Sequence, residues 1–363
     1  MVHFFVGTQA ELIKMAPVML EFQRRGMPFR YIESGQHVRA MREVRATFGV
    51  REPDRVIGAR ATDVATVRDG LAWMAGMGLR CLSRRSRVLR EIFGGEGGIC
   101  LIHGDTATTL LGCLLARRAG LRVAHVEAGL RSHSLLNPFP EEIVRIICMR
   151  LAHYLFCPSE IAEQNLAKMR VRGKVIRLPG NTVLDSLRLA EAAGGGEGRR
   201  GPYALATCHR LETISSKRRL SRVLEMLRLA SQAVPLLFVQ HEPTRKAMAR
   251  WGLDGLAAGD RIETLPPQDY FGFVRLVRGA EFVLTDGGSI QEECYYLGRP
   301  CFLMRRRTER PEGVGENVVI GGYDRGRLEA FLAAYPRMCR ALGRPASPSA
   351  IIADVLAKDE GGD

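Results

Sequence analysis

At 363 residues, 46% of them hydrophobic, the chain has material for two domains with a core each, and no apolar run reaches the ~18–20 residues that span a bilayer. Nine cysteines, an odd number scattered without a C-x-x-C pair, argue against a disulfide framework or a zinc site and for a reducing compartment. The net charge of +14 comes almost wholly from arginine spread along the chain with no recognisable nucleic-acid-binding motif, so nucleic acid is not expected as a partner, just as no membrane span is expected from the apolar runs.

The opening Met1-Val2-His3-Phe4-Phe5-Val6-Gly7 lacks a basic leader and reads as a buried first strand, which with the thiols gives a cytoplasmic expectation. Short apolar runs then alternate with longer amphipathic ones, the pattern of parallel βαβ units. Strands are expected at Val2–Val6, Phe29–Glu33, Ile99–Ile102, Val123–Val126, Tyr154–Cys157 and Lys174–Leu178, and helices at Glu11–Arg25, Thr108–Ala119 and Ile143–Leu151. The glycine-rich run from Gly194 to Pro202 cannot pack a core and reads as a linker or exposed loop. Strands resume at Tyr203–Thr207, Leu236–Gln240, Arg261–Leu265, Phe282–Thr285, Cys301–Met304 and Val318–Ile320. The expected fold is therefore α/β, with two Rossmann-like doubly wound domains facing across a cleft. Residues 1–185 would form the N-terminal domain, 186–202 the connection, 203–340 the C-terminal domain, and 341–363 a closing helix with a frayed tail.

Polar, charged and glycine residues cluster just after the expected strands. The clusters are Gly7-Thr8-Gln9-Ala10-Glu11, Ser34-Gly35-Gln36-His37, His103-Gly104-Asp105-Thr106, Glu127-Ala128-Gly129-Leu130-Arg131, Cys208-His209-Arg210, His241-Glu242-Pro243 and Asp286-Gly287-Gly288-Ser289. Ligands bind at that edge of open α/β sheets. Gly287 and Gly288 would let backbone N–H groups approach an anion, the plainer reading being a strand-to-helix turn capped by Ser289. Glu293, one turn into the helix, is placed to reach a ribose hydroxyl, and His209-Arg210 is a good phosphate-binding pair. Asp105, Glu127 and the Glu141-Glu142 pair are carboxylates near expected strand or loop ends, the plainer readings being an N-cap for Asp105 and, for the pair after Asn137-Pro138-Phe139-Pro140, acids in a helix's first turn.

These motifs, in order from Gly7 to about Glu312, make the chain resemble the bacterial UDP-N-acetylglucosamine 2-epimerases, whose two domains have the GT-B glycosyltransferase fold. The matching stretches are Gly7-Thr8 with Glu11, Ile13 and Lys14; His103–Thr106; His125–Arg131; Pro138–Glu142 with Arg145; Gly180–Val183; His209-Arg210; and Thr308–Glu312. The resemblance implies a UDP-linked amino sugar as substrate, bound by the C-terminal domain, with catalytic carboxylates from the N-terminal domain, no metal, no other cofactor, and a homodimer. It implies Asp105, Glu127 and Glu141 as the acid/base set and His209 as a catalytic group on the diphosphate side. Gln9, Lys14, Arg145, Arg210, Gly287, Gly288, Ser289, Glu293 and Arg310 are implied as substrate-binding residues. The chain departs from the family at Gln9 (an arginine there), at Ala10 (a proline), and at Asp286-Gly287-Gly288-Ser289, where the family's serine precedes the glycines. Arg306-Arg307, where the family has an acid and a small polar residue, offers replacement positive charge, and the stretch from Gly58 to Thr62 lacks the family's residues for an activating second substrate molecule.

The chemistry of such a site is constrained. A C2–H with no adjacent carbonyl is barely acidic, so the C1–O bond must break as the proton leaves, giving a glycal and UDP. Stabilising the departing diphosphate is the largest expected contribution, on the order of several kcal/mol. Returning a proton to the opposite face needs a second group with a different pKa. Re-addition of UDP would complete a nonhydrolysing epimerase; addition of water would make a hydrolysing one. A GT-B transferase passing the sugar to an acceptor is the rival reading.

Overall fold

A computed structural model describes residues 1–58, 82–134, 140–194, 201–340, 343 and 345–360. The stretch 59–62, the approach 137–139, linker residues 195–200 and the tail 361–363, all singled out in the sequence, lie outside the described residues. The chain divides into two compact units, one of Met1–Leu189 with Pro345–Asp363 and one of Ala190–Arg344.

The first unit is built on a parallel sheet of order β3-β2-β1-β4-β5-β6-β7. Its strands are β1 (Val2–Val6), β2 (Phe29–Glu33), β3 (Arg55–Val56), β4 (Ile99–His103), β5 (Arg122–Val126), β6 (Tyr154–Cys157) and β7 (Lys174–Arg177). Every residue of β1, β4 and β6 is buried, which is why these strands read as continuous apolar runs. The two-residue edge strand β3 escaped sequence reading because it is half exposed and carries no apolar run. Helix Gln9–Arg24 starts where Thr8 forms a capping box with Glu11, and helix Ala107–Ala119 where Thr106 forms one with Thr109. Thr106, and not Asp105, is thus the N-cap, leaving the Asp105 carboxylate for other work.

The closing helix Pro348–Glu360 belongs to this first unit. Asp185 holds its start, accepting hydrogen bonds from Ser347 Oγ and the Ser349 amide, both at 2.8 Å. Arg25 anchors it further along, through Asp354 and the Ala350 carbonyl.

The second unit repeats the topology with order β10-β9-β8-β11-β12-β13, again parallel throughout. Its strands are β8 (Ala204–Thr207), β9 (Leu236–Val239), β10 (Ile262–Leu265), β11 (Val283–Thr285), β12 (Cys301–Leu303) and β13 (Val318–Ile320). Period-2 alternation separates its two cores: Ala204 and Ala206 join Phe238, Phe282 and Phe302, while Leu205 joins Leu237, Val283 and Leu303 on the other face. Both sheets are doubly wound, and loops leaving the carboxyl ends of β1, β4, β5, β8, β9 and β11 carry most of the singled-out polar residues. Among the described residues no helix is long and apolar enough to cross a membrane.

Candidate functional site

In the first unit the chemistry gathers on the loops after β1, β4 and β5. Glu127 follows β5 with φ +66°, a left-handed conformation that costs a non-glycine residue about 1 kcal/mol or more. Gly129 turns the chain back at φ +91°, and a Cβ there would lie 2.3 Å from the Ala162 carbonyl oxygen, so only glycine fits. This turn aims the Glu127 carboxylate inward, where its Oε2 pairs with Lys14 Nζ and accepts from Asn181 Nδ2, with His103 Nε2 at 3.7 Å. Both members of the Lys14–Glu127 pair are about 95% buried, so each charge depends on the other.

Asp105, at the end of the β4 loop, pairs with Arg145, whose guanidinium also reaches Glu142 Oε2 at 3.3 Å. Glu142 is fully buried and further held by Arg131 and the Ser132 amide. Of the two acids opening helix Glu141–Leu151, Glu142 is therefore a structural counter-ion. Glu141 Oε2 is buried with no hydrogen-bond partner among the described residues. His125 sits between the two groups. Burial first, with the Arg145 charge adding, lowers its pKa to about 4, against the Gly104 hydrogen bond and the Glu127 charge.

Glu11 is the group sequence reading left unassigned. Its Oε2 accepts from the Gly7 amide at 2.7 Å and the Thr8 amide at 3.3 Å, and its Oε1 from the Thr106 and Thr109 hydroxyls. Burial pushes its carboxyl up to about 7 against these donors. Gln9 is exposed at the start of the same helix.

In the second unit Asp286 is fully buried and organises the β8 loop. It accepts the His209 amide at 3.1 Å on one oxygen and the Arg210 amide at 3.0 Å on the other. His209 packs against His241, ring centroids 5.1 Å apart, and burial lowers its pKa, favouring the neutral ring near pH 7. Arg210 is turned onto Glu212 through Nε and Nη2 at 3.1 and 3.0 Å.

Helix Gly288–Tyr296 begins beside this loop. Its N-cap is Gly287, with no capping side chain, so the expectation of a Ser289 cap gives way to a bare helix N-terminus. A Cβ on Gly287 would lie 3.1 Å from His209 Cε1, and one on Gly288 3.3 Å from Arg305 Nη1, so the lack of side chains here lets the backbone lie close to the His209 ring and the Arg305 guanidinium. Of the three consecutive arginines, Arg305 joins this cluster, whereas Arg306 and Arg307 are exposed. Glu293 is buried one turn in, facing the Tyr270 hydroxyl, whose pKa burial first and Glu293 second drive far up. Arg310 pairs with buried Glu292 at 2.8 Å.

Lys14, Glu127, Asp105 and Arg145 are thus brought together in one unit, and His209, Arg210, Gly287, Gly288 and Glu293 in the other. Asn181, which donates to Glu127, was visible as part of Gly180–Val183 but carried no charge to mark it.

The family model described as UDP-N-acetylglucosamine 2-epimerase matches residues 21–335. A protein named UDP-N-acetylglucosamine 2-epimerase from Yersinia pestis is 33% identical over 331 residues, 86% of this chain and 84% of the relative. Its counterpart from Methanocaldococcus jannaschii is 30% identical over 87% of each chain. Among solved structures, the Neisseria meningitidis UDP-GlcNAc 2-epimerase bound to UDP-GlcNAc superposes with a TM-score of 0.82 at 27% identity, covering 98% of this chain and 99% of that one. The Methanocaldococcus jannaschii enzyme in complex with UDP-GlcNAc and UDP gives 0.79 at 27% identity and the same coverage. With the family match running over most of the sequence, and two doubly wound sheets carrying the family's motifs on their loops, the chain belongs to the UDP-N-acetylglucosamine 2-epimerase family.

Proposed function

We propose that the protein interconverts UDP-GlcNAc and UDP-ManNAc by eliminating UDP and adding it back. The observation that carries this reading is a pair of carboxylates held differently on one sheet edge: Glu127 buried against Lys14, and Asp105, about 23% exposed, against Arg145. Two faces of C2 need two groups, and different surroundings are what separates an acid from a base.

In this reading the His209 loop and the bare N-terminus of helix Gly288–Tyr296 bind the diphosphate, and Glu293 takes the ribose. Ser289 and Arg310 supply further contacts, with Gln9 where the family has a cation. As C1–O breaks, electrons move onto the diphosphate, which the Gly288 amide at the helix N-terminus and the Arg210 guanidinium stabilise. One carboxylate among Asp105, Glu127 and Glu141 takes the C2 proton, leaving a glycal and UDP. A second returns a proton to the opposite face, and UDP re-forms the C1–O bond. Elimination and re-addition leave every oxidation state unchanged overall, so the scheme calls for no redox cofactor.

We further read the protein as cytoplasmic, supported by eight cysteines that are all unpaired among the described residues, and as a homodimer, supported by Leu114 and Ile143 standing exposed on two helices of the first unit. Incubation with UDP-GlcNAc in D2O, followed by proton NMR, tests the function. Deuterium at C2 with UDP-ManNAc forming is expected. Free ManNAc accumulating with UDP would replace this reading by the hydrolysing one, and neither exchange nor UDP release with any UDP-HexNAc would remove it.

A further inference from the structure

Glu11 offers no atom to the reaction scheme above, yet it is among the most fully engaged carboxyls of the first unit. Its two oxygens divide their work. Oε2 takes the Gly7 and Thr8 amides, the loop leaving β1, while Oε1 takes the Thr106 and Thr109 hydroxyls, the loop leaving β4. Thr106 is the immediate neighbour of Asp105 and caps helix Ala107–Ala119, so its hydroxyl is where that loop meets its helix. Thr109 is itself anchored, its single hydroxyl proton shared between Glu11 Oε1 at 3.3 Å and, at 2.7 Å, the His103 carbonyl at the start of the same loop. Three residues further along helix Gln9–Arg24, Lys14 holds Glu127. One helix end therefore fixes both candidate acid/base groups, Glu127 directly and Asp105 through Thr106.

We propose that Glu11 is a positioning residue that clamps the β1 and β4 loops together and so sets where Asp105 meets C2 of the sugar. The proposal rests on the reading of Asp105 as an acid/base group. Its burial opposes ionisation, pushing the carboxyl to about 7, so the clamp is kept despite the desolvation it entails. An amide cannot reproduce it. With its oxygen toward Gly7 and Thr8, a glutamine side chain turns N–H groups toward hydroxyls that are already donating, and those hydroxyls must reorient.

The test compares the full-length protein with Glu11→Gln, Thr106→Val, Thr106→Ser and the Glu11→Gln/Thr106→Val double variant, reading C2 deuterium exchange from UDP-GlcNAc and UDP affinity by calorimetry. Displacement of a reacting group by about 1 Å can lower turnover by about 100-fold, so Glu11→Gln is expected to lower kcat by about 10- to 100-fold with KM and UDP affinity nearly unchanged. Thr106→Val should lower kcat in the same sense, Thr106→Ser should restore it, and the double variant should be no worse than Glu11→Gln. Wild-type kcat in Glu11→Gln, or additive losses in the double variant, would overturn the proposal. Should Glu11→Gln fail to fold, the contrast between Thr106→Val and Thr106→Ser decides alone. Absence of exchange in the wild type strikes at the epimerase reading, whereas the ratio of variant to wild type judges the clamp.

Discussion

At the scale of single residues, the Lys14–Glu127 pair governs the first unit. Removing one partner of a buried ion pair strands the other charge and costs about 3–5 kcal/mol. Lys14→Met should therefore lower stability by about that amount in urea unfolding and abolish C2 exchange, while calorimetry finds UDP affinity close to wild type. Asp105→Asn makes a complementary case. Asp105 is partly exposed, so its loss should change the melting temperature little but reduce exchange by about 100-fold or more, the usual contribution of a positioned acid or base. In the second unit, Gly288→Ala puts a methyl 3.2 Å from Glu309 Oε1 and 3.3 Å from Arg305 Nη1, the ends of flexible side chains that can yield. Folding should survive, but an anion that needs the Gly288 amide meets a methyl group. UDP binding is expected to weaken by about tenfold or more, the equivalent of ~1.4 kcal/mol, and unchanged binding would place the diphosphate elsewhere.

At the scale of elements, helix Gly288–Tyr296 is bound to the 308–312 segment by the Arg310–Glu292 pair and by one buried amide side chain. Gln291 Nε2 donates to the Arg310 and Glu312 carbonyls at 3.0 and 3.1 Å, and its Oε1 accepts from Thr308 at 2.8 Å. Gln291→Leu keeps the volume but leaves two carbonyls and a hydroxyl without that partner, each orphan costing about 1–3 kcal/mol. Chemical denaturation should show a loss of at least ~2 kcal/mol, together with weaker UDP binding, because the same helix supplies the candidate anion site. A variant with wild-type stability would mean that the segment is held by other contacts. The Thr308–Glu312 motif thus has a structural reason to exist besides any contact Arg310 makes with a ligand.

At the scale of the whole molecule, three buried titrating groups set opposing pH dependences. Burial lowers His3 and His125 each to about 4. Each contributes stability present above the unfolded value near 6.5 and lost as pH falls toward 4, about 3 kcal/mol apiece. Glu11, raised to about 7, works the other way: its contribution is present below its unfolded value near 4.5 and lost as pH rises through about 7. Two histidines outweigh one carboxyl, so these groups together destabilise the protein as pH drops from 7 to 4. His125→Asn should flatten that decline in melting temperature measured across the interval, and an unaltered slope would contradict it.

Much of the fold was legible in the sequence because parallel strands buried on both faces write themselves as apolar runs. The strands Val2–Val6, Phe29–Glu33, Tyr154–Cys157 and Val318–Ile320 have the expected bounds, and others differ by a residue at one end. Only β3, short and half exposed, left no such trace. The candidate site was legible as loops after strands, and less so as partnerships. Glu141 and Glu142 are alike in sequence, and only burial beside Arg131 and Arg145 makes Glu142 the structural member. Glu11 drew no assignment in the sequence because its partners are set by the fold: it closes a capping box with Thr8, and its second oxygen reaches a residue 95 positions away.

The sequence by itself determined the alternation of strands and helices, the placement of polar loops at strand ends and the family to which they belong, since these depend on local periodicity and contiguous motifs. The tertiary structure alone decided which cation neutralises which acid, that the closing helix returns to the first unit through Asp185 and Arg25, and that Arg305, not Arg306 or Arg307, lies beside Gly288. Those outcomes depend on distances between residues far apart in the chain, and burial, which fixes the energy of every charge, arises only once the chain has packed.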